Sequence, residues 1–209
     1  NKTKLEPAEL EKDELNSGLD VDLSKEQLDA IELALKSSLV LITGGPGAGK
    51  TTLLEGLVRT FSKSKVKLRL CAPTGKAAMR IGQNRYLSKF QPSTIHMYLA
   101  NPKLQKFDVM IVDEASMIDV DLMLDLLISV PRGSAIIFVG DADQLPPVGS
   151  GQPFKDFLES ERFPTARLTG NFRQDSFSDT VKSARSIIKG DLPKINDNLS
   201  GSDFNFSKC

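Results

Sequence analysis

The chain has 209 residues, 40% of them hydrophobic and 26% charged, and its 27 basic and 27 acidic residues cancel to a net charge of zero. That size supports one substantial core without cross-links, while two cysteines and a single histidine exclude a disulfide framework and a zinc cluster. Zero net charge argues against a wholly basic nucleic-acid binder, and with no apolar run as long as a membrane span and no apolar signal core at the N-terminus, a soluble protein of a reducing intracellular compartment is expected.

Residues 1–22 are rich in Glu and Lys, with Leu5, Leu10 and Leu15 as the main apolar points, and read as a linker or N-terminal helical appendage. Leu23-Ser24-Lys25-Glu26-Gln27-Leu28 carries a helix-start signature. Ser24 is the N-cap, Gln27 closes a capping box, and Leu23 faces Leu28 as a hydrophobic staple. The helix should run to about Lys36.

Leu39 to Thr43 is a short β-prone apolar run leading into Gly-Gly-Pro-Gly-Ala-Gly-Lys-Thr-Thr, residues 44–52. This fits the pattern G-x-x-x-x-G-K-[ST], and a helical spacing follows it. In a strand, loop, helix context the amides of Gly45 to Lys50 converge on one concavity to which the helix adds its positive end, which suits a polyphosphate. Lys50 is expected to reach β- and γ-phosphates, and Thr51 to place its hydroxyl on Mg²⁺.

The charges along the chain are segregated. From Gly56 to Phe107 there is no acidic residue, whereas Arg59, Lys63, Lys65, Lys67, Arg69, Lys76, Arg80, Arg85, Lys89, Lys103 and Lys106 are basic; from Asp108 to Glu161 only Arg132 and Lys155 are cationic. This suggests a polyanion track beside an acidic metal site, unless folding mixes the two segments.

Val66 to Cys71 reads as a second strand, ended by Ala72-Pro73-Thr74-Gly75-Lys76. That loop suits nucleic-acid phosphates and equally an ordinary strand-to-helix connection. A helix starts from about Ala77, and Ser93-Thr94-Ile95-His96 is a further hydroxyl and imidazole cluster, in which a lone histidine is weak evidence. Phe107 to Glu114 is a nearly continuous apolar run typical of a buried parallel strand, closed by Asp113 and Glu114. Strand ends in α/β sheets open on the ligand crevice, so Asp113 is expected in the Mg²⁺ shell and Glu114 beside a water. A helix over Met117–Ile128 and a strand over Ala135–Val139 follow. Gln144 lies in the rigid loop Asp143-Gln144-Leu145-Pro146-Pro147-Val148, where its amide could sense a γ-phosphate. Beyond a helix at Phe154–Leu158 and a strand at Ala166–Thr169, Arg173 could neutralise transition-state charge or simply lie on the surface. Ser178–Lys189 has amphipathic helical spacing, and the chain ends in the strand-like alternation Phe204 to Cys209, as a fragment of a longer protein would.

Taken together, residues 44–52, Ala-Pro-Thr-Gly-Lys-Ala-Ala, Thr-Ile-His, Val-Asp-Glu-Ala-Ser-Met, Val-Gly-Asp-Ala-Asp-Gln-Leu-Pro-Pro-Val and Leu-Thr-Gly-Asn-Phe-Arg-Gln resemble a superfamily 1 DNA helicase of the RecD type, over about Leu23 to Pro193. The resemblance implies an α/β, RecA-like P-loop NTPase fold with a largely parallel sheet and helices on both faces. Residues 23–193 would be the first motor domain, and 194–209 the start of a connection to a second one.

It further implies that ATP is held by Gln27, which would recognise adenine, and by Gly45, Pro46, Gly47, Ala48, Gly49, Lys50, Thr51 and Thr52. Lys50, Glu114, Gln144 and Arg173 would act in hydrolysis, and Thr51 and Asp113 would hold Mg²⁺. Single-stranded DNA would lie on Pro73, Thr74, Gly75, Lys76, Thr94 and His96, with 5′ to 3′ movement and a cytoplasmic, nucleoid-associated or other reducing location. Two features depart from the family pattern: Ala48 stands where Thr or Ser is frequent, and the stretch from Ala100 to Phe107 is short. The chain also ends before the second motor domain. The alternatives are a nucleotide-gated binding or scaffold module with little turnover, and a small-molecule kinase, for which the basic tract and the Gly140–Val148 loop have no purpose.

Overall fold

The computed structural model describes residues 22–64 and 66–170, with Ser186 alone beyond them. Helix α1 (Lys25–Lys36) precedes β1 (Leu39–Gly44), α2 (Lys50–Lys63), β2 (Leu68–Ala72) and α3 (Gly75–Gln83). A 3₁₀ turn at Leu87–Phe90 leads to the two-residue strand β3 (Ser93–Thr94) and to α4 (Ile95–Ala100). After β4 (Val109–Val112) come α5 (Val120–Ser129), β5 (Ala135–Gly140), α6 (Pro153–Glu159) and β6 (Thr165–Leu168).

The six strands form one sheet in the order β3-β2-β4-β5-β1-β6, every pair parallel. Register follows from apolar side chains on both faces of each central strand. Val40 and Ile42 of β1, Leu70 of β2, Ile111 of β4 and Ile137 and Val139 of β5 join Ile31, Leu53, Leu57, Phe61 and Ile81 of α1, α2 and α3. The alternate residues Leu41, Cys71, Met110, Val112 and Phe138 join Tyr98, Met123, Leu126, Phe154 and Leu158 of α4, α5 and α6. Because side chains alternate along a strand, each central strand contributes to two cores, which explains its unbroken apolar sequence. The expected α/β fold, with a parallel sheet and helices on both faces, is the one observed.

Local signals set most helix starts. Ser24 and Gln27 form the capping box, Ser24 Oγ accepting from Gln27 N at 3.2 Å and Gln27 Oε1 from Ser24 N at 2.8 Å. One expectation is corrected: residues 117–128 are not a single helix. Ala115–Met117 is a 3₁₀ turn, Ile118 is extended, and α5 begins at Val120 because Asp119 Oδ1 accepts from Leu122 N at 2.9 Å. The preceding Glu114 adopts a left-handed conformation, φ 55°, which turns the chain sharply as it leaves β4. Ser93 and Thr94 form a short edge strand beside β2, and α3 starts at Gly75, two residues before the expected position. The expected helix over residues 178–189, the terminal alternation, residues 1–21 and Arg173 lie outside the described residues.

Candidate active site

The carboxyl ends of β1, β4 and β5 converge on one open cleft of about 540 Å³, lined by residues 45–52 of the loop after β1 and by Arg80, Glu114, Asp141 and Gln144. The loop owes its path to glycine at two points: Gly47 and Gly49 have φ of 82° and 79°, angles strained for any residue with a side chain. Gly49 is the N-cap of α2, whose free amides therefore face the cleft. Lys50, the first residue of that helix, donates from Nζ to the carbonyls of Gly44 and Gly45, and its ammonium lies 3.8 Å from Asp141 Oδ2.

Gln27 approaches the loop from α1. It is only 2% exposed, and besides its capping-box bond it donates from Nε2 to the Gly49 carbonyl at 3.0 Å. Glu26, one residue earlier, accepts from the backbone amides of Thr169 and Gly170 and from the Thr169 hydroxyl. The Thr169 hydroxyl and these two amides hold the Glu26 carboxyl below its ordinary pKa. One turn of α1 thus grips both the phosphate loop and the exit of β6.

Asp113 and Glu114 leave β4 as expected, side by side and nearly buried. Glu114 Oε2 accepts from Gln144 Nε2 at 3.3 Å, and Gln144 Oε1 accepts from Ser116 Oγ at 3.1 Å. Burial, then the neighbouring Glu114 charge, pushes the Asp113 carboxyl above the ordinary aspartate range. Burial likewise raises Asp141. Thr51 lines the cleft, whereas Asp113, only 6% exposed, does not; a hydroxyl and a carboxylate are hard oxygen donors of the kind Mg²⁺ prefers. Among the described residues no group of three or more His, Cys, Asp or Glu side chains forms a metal cage.

Two site residues were not singled out in the sequence for this role. Asp141 closes β5 against Lys50, and Arg80 extends from α3 to place Nη2 2.8 Å from Glu114 Oε1 and 3.9 Å from Asp113 Oδ2. Arg80 comes near because β2 pairs with β4, Cys71 opposite Val112, so the helix leaving β2 starts beside the carboxylates leaving β4.

The residues expected along a nucleic-acid strand collect at the other end of the same sheet edge. Thr74 Oγ1 accepts from Ala77 N at 3.2 Å and Thr94 Oγ1 from Met97 N at 3.1 Å, so both hydroxyls cap helices while each hydroxyl hydrogen remains free to donate. Lys76 and His96 are exposed beside them. Between α3 and α4 runs an open groove of about 440 Å³, walled by Gly75, Met79, Pro92, Thr94 and Met97 among others, with Met79 and Met97 largely exposed.

Residues 22–203 match the family described as AAA domain. Among curated proteins, the ATP-dependent RecD2 DNA helicase of Deinococcus radiodurans is 35% identical over 184 residues, which are 84% of this chain and 25% of that protein. The RecBCD enzyme subunit RecD of Buchnera aphidicola subsp. Schizaphis graminum is 37% identical over 155 residues, 60% of this chain and 26% of the relative. The chain therefore spans about a quarter of the length of these relatives. A crystal structure of the Pif1 helicase from Candida albicans superposes with a TM-score of 0.64 at 24% identity, covering 83% of this chain and 46% of that one, a likeness of fold. Among the described residues no helix is long and apolar enough to cross a membrane. From the extent of the family match and the parallel sheet that carries the phosphate loop, this chain belongs to the AAA-domain family, as a RecA-like P-loop NTPase domain related to the RecD-type superfamily 1 helicases.

Proposed function

We propose that residues 23–193 are the first motor domain of an ATP-dependent DNA helicase, which couples ATP hydrolysis to 5′ to 3′ movement along single-stranded DNA. The observation that carries this reading is the bond from Gln144 to Glu114 across the cleft mouth, because it ties the residue suited to activate water to the loop suited to sense a γ-phosphate. In this reading the amides at Gly45, Gly47 and Gly49, with Lys50, Thr51 and Thr52, bind the phosphates, the Ala48 amide closes the loop on the Gly45 carbonyl at 3.2 Å, and Pro46 stiffens it. Gln27, nearly buried and tied to Ser24 and to the Gly49 carbonyl, is assigned to adenine by the family resemblance, with one amide hydrogen and one lone pair left over to serve it once the nucleotide is seated. Mg²⁺, held through Thr51 and Asp113, would supply charge neutralisation at the β- and γ-phosphate oxygens.

Glu114 orients a water and takes its proton on a carboxylate oxygen as attack proceeds, while Lys50 and Gln144 donate to the oxygens on which charge develops. Arg173, carried by the segment that follows β6, belongs to the same proposal. Single-stranded DNA lies across Thr74, Gly75, Lys76, Thr94 and His96, with Pro73 buried and able only to shape the turn before α3, its phosphates on the helix starts and its bases over Met79 and Met97. A second RecA-like domain, connected from residues 194–209, completes the cleft, and the protein works in the cytoplasm at the nucleoid or in another reducing intracellular compartment.

Steady-state ATPase of the full-length protein, with and without an oligothymidylate, tests the reading. Turnover stimulated by the strand and lost in Glu114→Gln supports it; binding of both ligands with no turnover identifies a scaffold module instead.

A further inference from the structure

The Arg80 ion pair is strongly one-sided. The guanidinium-bearing side chain is 56% exposed, while its carboxylate partners Glu114 and Asp113 are only 11% and 8% exposed. The carboxylates are fixed by their place at the end of β4 and by the Gln144 bond, so the arginine is the partner free to leave. Arg80 also stands one helical turn after Lys76, on the same side of α3, in a segment without acidic residues. Lys76 and Arg80 are both exposed, and Arg80 lines the nucleotide cleft rather than the groove between α3 and α4, so a polyanion reaching it from Lys76 would do so at the rim of that cleft; arginine binds phosphate with a forked geometry. A half-exposed pair is held weakly enough for such an exchange.

We propose that Arg80 is a positioning residue with two alternative partners, the Glu114 carboxylate and a phosphate of the bound strand, and that this exchange links strand binding to hydrolysis. Paired with Arg80, Glu114 is drawn toward α3; when a strand phosphate takes the guanidinium, Glu114 is left to Gln144 and to water. This rests on the strand path and the Glu114 role proposed above.

The link is measurable as a double-mutant cycle on strand affinity without nucleotide, using fluorescence anisotropy of a labelled oligothymidylate on the full-length protein across a salt series. Glu114→Gln should tighten binding about threefold or more and steepen the salt slope by about one ion, because Arg80 is released to the strand. In an Arg80→Ala background the same substitution should change neither quantity. Arg80→Lys, which keeps the charge but not the fork, should restore part of the effect. An equal gain in both backgrounds, or none in either, would overturn the exchange. Lys76→Ala separates the two layers of argument: unchanged affinity and slope would remove the strand from α3 altogether, whereas a loss of affinity alongside a flat cycle would refute the Arg80 exchange alone. Arg80 is more than half exposed, so its substitution should leave the fold intact, and matched melting curves check this.

Discussion

The amide of Gln27 reaches across 22 residues of sequence to the end of the phosphate loop, its Nε2 donating to the Gly49 carbonyl at 3.0 Å. The capping signature of α1 and the geometry of the nucleotide loop therefore share one side chain. Gln27→Ala breaks the capping box and removes one of the two donors to the Gly49 carbonyl, which keeps its bond from Leu53 N; the loss should be about 1 kcal/mol. Gln27→Glu keeps the acceptor for Ser24 N but sets a carboxylate against the Gly49 carbonyl. It should therefore preserve the helix start and weaken nucleotide binding more than its effect on Tm suggests. Thermal melts and calorimetric titration with MgADP distinguish the two outcomes; equal nucleotide affinity in wild type and Gln27→Glu would separate Gln27 from loop geometry.

Binding and hydrolysis should separate at Lys50 and Glu114. Removing the ammonium in Lys50→Ala deletes a charge-assisted bond to phosphate, expected to lower MgATP affinity about 10- to 150-fold. Glu114→Gln should bind MgATP as well as wild type and turn over about 10²- to 10⁴-fold more slowly. Wild-type turnover in Glu114→Gln would assign water activation elsewhere.

Asp141 offers a pH test. Its folded pKa is raised by burial above the ordinary 3.8, so the folded state holds that proton more tightly than the unfolded chain does. The penalty is absent below 3.8, grows as pH rises through the interval up to the folded pKa, and is fully present above it. Asp141→Asn should therefore raise Tm at neutral pH, with the gain shrinking to nothing as pH falls into the ordinary aspartate range. A loss at neutral pH would mean that the Lys50 contact outweighs burial, and a gain independent of pH would mean that the buried charge is not its source.

Cys71 lies in β2 inside the second core, where burial pushes its thiol up to about 11. At pH 8 it should remain unreactive toward a thiol reagent until the domain opens. In a Cys209→Ser background, labelling should track unfolding in urea; immediate labelling of the folded protein would contradict the packing of β2 between β3 and β4.

The 209-residue chain by itself should bind MgATP or MgADP, hydrolyse ATP poorly and leave a tailed duplex intact. Stepping needs a second domain that opens and closes on the shared nucleotide, and an arginine supplied in trans is worth about 10³-fold or more in rate. Robust unwinding by a monodisperse monomer would show that the second domain is dispensable.

What could be read from sequence was whatever short-range chemistry decides. The capping box at Ser24 and Gln27, the glycine-dependent loop before Lys50, and strands apolar on both faces all follow from neighbouring residues. Strand order was not of that kind. It places Arg80 beside Glu114 and Asp141 beside Lys50, pairs separated by tens of residues, and no local periodicity reports it. The break before α5 was missed for a different reason: Met117 to Ile128 is apolar enough to read as one helix, and the left-handed Glu114 with the Asp119 cap overrides that propensity.

The position of β1 in the sheet has a consequence for synthesis on the ribosome. Its partners β5 and β6 arrive about a hundred residues or more later, and Thr43 meets its bonding partner Ala142 across 99 positions. Until then a strand with five buried residues in six, the one that carries the phosphate loop, has both edges unpaired. A nascent or truncated polypeptide ending before residue 135 is thus the species most exposed to misassembly, and any shortened version of this domain must keep β6 to remain well behaved.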